Sequence, residues 1–452
     1  VLRGVKARRR TELGLLVAAG AIIVAAYTLM ILGNTNKVPA DVVPLLIFML
    51  VLGGVAHIAN RIFVPDAVAV VLPIAFLLNG LGYVFILRID LGTGKNYAPL
   101  QAAWTAGGVA AYVLTLMIVR RSRDLDRYRN LMLVAGIGLL LLPLVPHFGA
   151  TINGARLWVR AGHFEFQPVE LAKILLCVFF ASYFAEKREL LTIPTARVGN
   201  RLFLDPRPLV PIVLAWAFAI GVIALEDDIG FSALLFTLFI GLLWVTTGRT
   251  GYLLLGVILF AAGAYVAGRY FGQTHIRVET WLHPGNLPQG DQLRQAWYAM
   301  GSGGIGGQGL GLGFGAYWIP NPSTDSIFAV IGNEMGLLGS SMVVVAFLLL
   351  AGTGFRIAQA ARSEFAKLTA TALTIIIGFQ AFFIIGGVVR LLPLTGITLP
   401  FVSYGGSALI ANYVLIALLM RISDEGSAAI DEAERVQYEQ NEERRERLLT
   451  GS

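Results

Sequence analysis

Charge and cysteine are what this chain has least of. Only 14% of its 452 residues are Asp, Glu, Lys or Arg, against about 25% in a soluble domain. So few charges cannot cover a water-facing surface for a chain of this length, which excludes an ordinary soluble enzyme. A hydrophobic content of 56% excludes a disordered chain as well. The single cysteine, Cys177, lies inside an apolar run, so neither a disulfide framework nor a cysteine metal site can form within one chain. Five histidines leave little material for a polyhistidine metal centre.

Long apolar stretches are abundant, and the mean hydropathy is +0.71. A helix needs roughly 20 apolar residues to cross about 30 Å of hydrocarbon. Twelve candidate spans lie near 13–33, 42–58, 67–87, 99–119, 131–148, 166–185, 208–225, 230–247, 252–271, 326–352, 368–390 and 399–421. The pair 208–225 and 230–247 is separated by only four residues, so it reads either as two spans or as one broken element that re-enters the membrane. The fold class is an all-α polytopic membrane protein.

The net charge of +7 does not point to nucleic acid, because the basic residues cluster between apolar runs and read as topology signals. The basic start Val1–Arg10 precedes a long apolar run and reads as the flank of a retained first span. With the N-terminus in the cytoplasm, the cytoplasmic segments hold 20 Lys and Arg and the opposite loops seven. Both ends are then cytoplasmic. The richest basic loop, Arg120–Arg129, suits anionic membrane lipids. Residues 424–452 are rich in Asp, Glu and Arg and form either a solvated helix or a disordered tail.

The longest outer loop, 272–325, contains a glycine-rich stretch from Gly301 to Gly315. No strand precedes it and no Gly-Lys-Ser/Thr ends it, so it is no nucleotide loop. It is either a close-packed segment or a backbone that a bulky headgroup can approach.

Ionisable residues within a span cost at least ~2.5 kcal/mol each and usually pair or line a cavity. Three sets occur. Glu170 and Lys173 are three apart and share a helix face after Gln167-Pro168. Glu226-Asp227-Asp228 stands between two apolar runs, and Asn333-Glu334 follows the long loop. Three sets in one chain favour a hydrophilic cavity over isolated helix-helix contacts. In the loop 149–165, Asn153-Gly154 signals a turn, and Trp158 suits the membrane interface. Arg156 and Arg160 are cations on the side where they are disfavoured, suited to gripping an anionic group.

Five motifs occur in one order: Asn153-Gly-Ala-Arg-Leu-Trp158, Gln167-Pro-Val-Glu-Leu-Ala-Lys173, Glu226-Asp-Asp-Ile-Gly230, Ser323-Thr-Asp-Ser-Ile-Phe-Ala-Val-Ile-Gly-Asn-Glu-Met-Gly336 and Pro393-Leu-Thr-Gly-Ile-Thr-Leu-Pro-Phe-Val-Ser-Tyr-Gly-Gly-Ser407. Together they resemble the shape, elongation, division and sporulation (SEDS) family, which includes RodA and FtsW, over roughly 67–423. Residues 1–66, with two spans, look like an addition to the family's ten-helix core, as in actinobacterial RodA-like members, and 424–452 follow as a charged tail.

The resemblance implies a peptidoglycan glycosyltransferase that polymerises lipid II on the outer face of the bacterial cytoplasmic membrane. It implies work alongside a class B penicillin-binding protein, and a divalent cation (Mg or Mn) with no organic cofactor. It makes Arg156, Trp158, Arg160, Glu170, Lys173, Asp228, Arg277, Ser323, Asp325, Ser403 and Tyr404 candidate substrate-binding residues. A carboxylate must deprotonate the acceptor sugar's hydroxyl, and cations must meet the leaving pyrophosphate.

The long loop departs from the family pattern. Its two prolines, Pro284 and Pro288, keep their spacing, but His283 and Leu287 stand where the family has aspartates, the second of them the essential carboxylate. Leucine takes no proton. Glu279 and Asp291 are the acids left in 272–322, and Asp291 is the expected general base, with Asp228 as another acid that could serve. The competing readings are a catalytically impaired scaffold that binds a transpeptidase and a flippase for lipid-linked substrate.

Overall fold

The computed structural model describes residues 2–450 apart from 38–41, 147, 153–154, 162–163, 193–195, 199–200, 204–206, 227, 271 and 289. Asn153, Gly154 and Asp227 lie outside the described residues, as do the side chains of Arg156 and of everything beyond 428.

The membrane body is helical. The first four helices are α1 (Leu2–Thr35), α2 (Val42–Phe63), α3 (Val71–Thr93) and α4 (Ala98–Ile118). A short α5 (Ser122–Arg127) leads into α6 (Arg129–Leu141), and α7 spans Val169–Thr192. Then come α8 (Val210–Leu225), α9 (Ile229–Thr247) and α10 (Thr250–Tyr270). The long loop carries α11 (Gly272–Leu282), α12 (Gly290–Gly303) and α13 (Gly315–Trp318). The last three are α14 (Ile327–Gln359), α15 (Glu364–Val388) and α16 (Gly406–Thr450).

Eight of these, α1–α4, α9 and α14–α16, contain stretches long and apolar enough to cross a membrane. Shorter apolar helices are α6, α8 and α10. With α7, which carries its charged pair within an apolar sequence, they account for the twelve expected runs. Helices suit such runs because lipid offers no partner to a backbone N–H or C=O. Their outward faces are apolar, as at Leu254, Val257 and Ile258 on α10 and Leu338, Met342 and Leu348 on α14.

Several boundaries differ from expectation. Arg88, just past the expected end of the 67–87 span, lies inside α3, which continues to Thr93. The pair 208–247 forms two separate helices, α8 and α9, packed on each other. The last span begins at Gly406, because residues 393–405 form a non-helical strap in which Phe401 adopts φ 66°. From there α16 runs without a break past residue 423. Its Asp424 and Glu425 accept from the backbone N–H groups of Asp66 (2.7 Å) and Ser122 (2.7 Å). The segment 149–166 adds a small antiparallel sheet to the helical body, β1 (Gly149–Ile152), β2 (Ala155–Ala161) and β3 (Phe164–Phe166).

The first two helices are tied in by buried polar groups. Glu12 on α1 pairs with Arg9 and accepts from His57 (2.7 Å) and Asn60 (3.1 Å) on α2, while Tyr112 on α4 donates to Asn60. Apolar contact alone drives little helix association in lipid, so such contacts supply the specificity.

The long loop plugs a break in α14. At Gly336 the helix leaves helical geometry (φ 64°, ψ −162°). The glycine-rich segment fills the gap with its own backbone. Gln308 N–H donates to Asn333 O (3.0 Å) and Gly309 N–H to Glu334 O (3.0 Å), while Leu337 N–H donates to Gly304 O (2.9 Å). At Gly307, with φ 83°, a Cβ would meet the Glu334 carbonyl, so the approach demands glycine. The close-packed reading of this segment is therefore the one the structure supports.

Candidate active site

Four elements meet at the loop end of the bundle: the start of α7, the start of α9, α11 and the 393–405 strap. Pro168 suits the first turn of α7 because the missing N–H would have no partner there. One turn later Lys173 pairs with Glu170 (2.5 Å) and donates to Gln380 on α15 (2.9 Å). Gln380 in turn donates to Thr398 O in the strap (2.9 Å). The second Glu170 oxygen is buried with no hydrogen-bond partner among the described residues.

Asp228 caps α9, accepting from Phe231 N–H at 3.0 Å. The next residue but one, Gly230, sits against the strap, where a Cβ would lie 2.8 Å from Thr395 O. Arg277, on α11, donates to that same Thr395 carbonyl (2.5 Å). Its positive charge acts on both the Asp228 and the Asp325 carboxyl.

Burial raises the Asp228 carboxyl to about 6, against the lowering pull of the Phe231 N–H and of Arg277. Burial likewise raises Asp325 to about 6, again opposed by Arg277. Some solvent still reaches Asp325, although protein surrounds most of it. Glu226, 1% exposed, has neither carboxylate oxygen hydrogen-bonded among the described residues. Burial, then the neighbouring Asp228 charge, pushes it up to about 8. Two acids poised near 6 around one cation can exchange protons at neutral pH.

The strap motif holds the turn that carries Asp325. Tyr404 N–H donates to Ser323 O (2.8 Å), and Ser403 Oγ donates to Thr324 O (2.7 Å) while accepting from Leu399 N–H (3.0 Å). Tyr404 stacks on Tyr97 with ring centroids 4.5 Å apart. Ser323, Ser403 and Tyr404 thus shape the site through their contacts with its backbone and rim.

Other expected residues fall elsewhere. Arg160 pairs with Glu165 across β2–β3 (2.6 Å), both well exposed, and Trp158 lies on the same strand, half-buried. Asp291 sits in the first turn of α12 with its side chain 51% exposed and paired with Arg294. None of its hydrogen bonds or ion pairs reaches Arg277, Asp228 or Asp325. The loop departs from the family pattern at Leu287, and the loop acid that feels the Arg277 charge is Asp325, at the loop's very end. Its motif marks Asp325 only as a binding residue; the fold brings it under that charge.

Asn333-Glu334 also belongs elsewhere. Glu334 pairs with Arg88 (2.7 Å) and accepts from Gly311 N–H (2.9 Å), while Arg88 donates to Gly313 O and Tyr317 OH. Asn333 accepts from Gly315 N–H (2.9 Å). This set binds the plug of α14. Neither Arg88 nor Gln380 stands out in the sequence. An arginine near the end of an apolar run, with a glutamate inside another span, is the available signal for the first. Among the described residues no group of three His, Cys, Asp or Glu is arranged to hold a metal ion. Those side chains do not complete a cation shell.

A polytopic helical body with titratable carboxylates and a cation gathered at the loop end of the bundle defines a membrane-embedded protein with a polar, ionisable site. The comparisons make this specific. The profile of the FtsW/RodA/SpoVE cell cycle proteins matches residues 68–428, and the chain belongs to that family. The peptidoglycan glycosyltransferase RodA of Mycobacterium tuberculosis is 40% identical over 425 residues, covering 92% of this chain and 90% of that protein. A probable peptidoglycan glycosyltransferase FtsW of Geobacter metallireducens is 30% identical over 79% of this chain and 94% of that protein. The fold matches a chain of a peptidoglycan synthase complex with a TM-score of 0.61 at 25% identity, covering 78% of this chain and 96% of that one. It matches the crystal structure of Thermus thermophilus RodA with a TM-score of 0.55 at 25% identity, covering 77% of this chain and 94% of that one.

Proposed function

We propose that this chain is a peptidoglycan glycosyltransferase that polymerises lipid II. The observation that carries the reading is Arg277, anchored on Thr395 O of the strap, with its charge acting on two carboxyls, the buried Asp228 and the largely enclosed Asp325, each raised to about 6. An acid of that kind, ionised at neutral pH, can take the proton from the acceptor sugar's hydroxyl as the oxygen attacks the donor's anomeric carbon. Arg277 meets the charge of the departing pyrophosphate. The Glu170–Lys173 pair, fixed by Gln380, keeps a second cation below it. The geometry supports Asp325 as the base over Asp291, which would have to leave Arg294 and cross to Arg277.

The cytoplasmic membrane of a bacterium is the proposed location, with both termini inside. The 20-to-seven basic bias supports this, as does the ring of basic contacts at the end opposite the site, Arg8–Asp66, Arg129–Glu186 and Arg188–Glu364. The proposed organisation is an N-terminal unit 1–66, a catalytic core 67–423 and a charged tail 424–452. A class B penicillin-binding protein is the proposed partner, supported by the match to a synthase-complex chain. A divalent cation, if required, would arrive with the substrate's pyrophosphate.

The test is polymerisation of labelled lipid II by the purified chain, alone and with its cognate transpeptidase, with and without Mg or Mn. Polymer that disappears in Asp325→Asn supports the reading. A wild-type chain that binds the transpeptidase but makes no polymer under any of these conditions establishes the scaffold reading, which Leu287 favours.

A further inference from the structure

Arg390 is the residue the mechanism above leaves unused and the backbone singles out. It follows α15 and adopts φ 65°, in the left-handed region. The hydrogen bonds around it form a helix-ending motif in which that position is usually glycine. Leu391 N–H donates to Gly386 O (2.7 Å) and Arg390 N–H to Gly387 O (3.3 Å). An arginine kept where glycine is the easier choice needs a compensating role for its side chain.

The side chain reaches the end of α11. Its Nε donates to Trp281 O (3.2 Å) and an NH2 group to Leu282 O (3.1 Å), the last two residues of that helix. A cation on the final carbonyls also suits the negative end of the helix dipole. Trp281 Nε1 returns a bond to Arg390 O (3.1 Å). The guanidinium lies over the Trp297 ring of α12, 5.0 Å from its centroid, and Trp297 Nε1 donates to Val388 O (3.0 Å). Arg390 thus clasps the end of α11 and the middle of α12 to the end of α15. Arg277 stands on α11 one turn before Trp281, and its reach to Thr395 depends on how that short helix is set.

We infer that Arg390 is a positioning residue that fixes α11 so that the Arg277 charge acts on Asp228 and Asp325. For its catalytic consequence the inference rests on the glycosyltransferase reading. For the placement of α11 it does not. Loosening the clasp therefore affects turnover, where alignment matters, more than substrate capture by the rest of the site.

The experiment uses the full chain with its transpeptidase, with spin labels at Leu282→Cys and Phe382→Cys; Cys177 is buried. Glycine fits φ 65°, so Arg390→Gly keeps the turn and removes only the clasp. Arg390→Lys keeps the charge without the fork and serves if the glycine variant is poorly made. The label-to-label distance distribution is expected to broaden in Arg390→Gly and less in Arg390→Lys. Lipid II turnover is expected to fall about tenfold to 100-fold in Arg390→Gly with KM little changed. Adding Arg390→Gly to Arg277→Ala is expected to cost nothing further, because both act through one group. A narrow distribution together with wild-type turnover in Arg390→Gly overturns the inference, as does full multiplication of the two losses. If the wild type makes no polymer yet the distribution broadens, the clasp stands and the enzyme reading falls.

Discussion

Two buried ion pairs in this chain have nearly the same composition and opposite surroundings. In Arg88–Glu334 both carboxylate oxygens are met, by Arg88 Nε and Gly311 N–H, and Arg88 donates to Gly313 O and Tyr317 OH of the plug of α14, leaving only its Nη1 without a partner among the described residues. Glu170–Lys173 also pairs at hydrogen-bond distance, but one Glu170 oxygen is left bare, and the charge of Asp228 lies nearby. In the first pair the carboxylate is fully bonded within the fold. The second holds a charge near a site where acids are poised to titrate. Sequence spacing cannot separate the two cases, since both are ionisable residues at membrane depth; only the inventory of remaining partners does.

The largest effect should fall on the closed pair. Arg88→Ala strands a fully buried glutamate, and breaking such a pair costs on the order of 3–5 kcal/mol. The folded chain should be nearly lost from membranes, and Arg88→Met with Glu334→Leu should recover part of it. At the open pair, Glu170→Leu with Lys173→Met should recover folded protein and yet polymerise no lipid II. Equal recovery of protein and activity at both pairs would erase the distinction between them.

The next effect sharpens which acid works at the open site. Asp325→Asn should lower lipid II polymerisation by about 100-fold or more, the range for losing a general base. Asp291→Asn should keep nearly the wild-type rate, since its carboxylate only meets Arg294 in the first turn of α12. The reverse ranking in a polymerisation assay would return the role to Asp291.

These contrasts also separate what spacing and hydropathy reveal from what only folding brings together. The twelve apolar runs are legible because lipid punishes every unpaired backbone group, so length and hydropathy alone mark the spans. The Glu170–Lys173 pair is legible from spacing on a single helix. Arg88 is not, because its partner is 246 residues away and a cation at the edge of an apolar run looks like a loop cation. The start of α16 is misplaced by hydropathy because the strap Pro393–Gly405 is as apolar as a span and differs only in turn geometry. Asp325 is recognisable as a motif residue but not as the acid that feels the Arg277 charge. That requires the strap and α11 to be folded onto one another.

A smaller effect is a crossing of two pH dependences. Asp228 and Asp325 both rise from an ordinary aspartate to about 6 on folding. A raised carboxylate favours the folded state when protonated. That contribution is complete below about pH 4 and is lost as pH climbs through 6. Turnover needs the ionised base and runs the other way, rising through pH 6. Between pH 5 and 7 the rate should climb while the thermal midpoint drifts down, and Asp325→Asn should flatten part of that drift. A rate already at its plateau at pH 5 would show that neither acid is the base.

The smallest effect is expected at Glu226, the neighbour of Asp228 whose carboxylate has no hydrogen-bond partner among the described residues. Burial and the Asp228 charge push it up to about 8, so at pH 7 it is mostly a neutral acid. Glutamine has the same shape and no charge, and Glu226→Gln should therefore polymerise lipid II at pH 7 within about twofold of wild type. The two chains should part between about pH 5 and pH 8. Over that range the unfolded wild type has an ionised Glu226 while the folded chain keeps it protonated, so the stability that the protonated form contributes is lost progressively and is gone once pH passes 8. The glutamine variant has no such group to ionise. From pH 5 to pH 8 the thermal midpoint should fall more steeply for the wild type than for Glu226→Gln, and above pH 8 the two should run parallel. A variant that is inactive at pH 7 with an unchanged midpoint would mean that Glu226 works as an ionised group, and would place it alongside Asp325 in the proton's path.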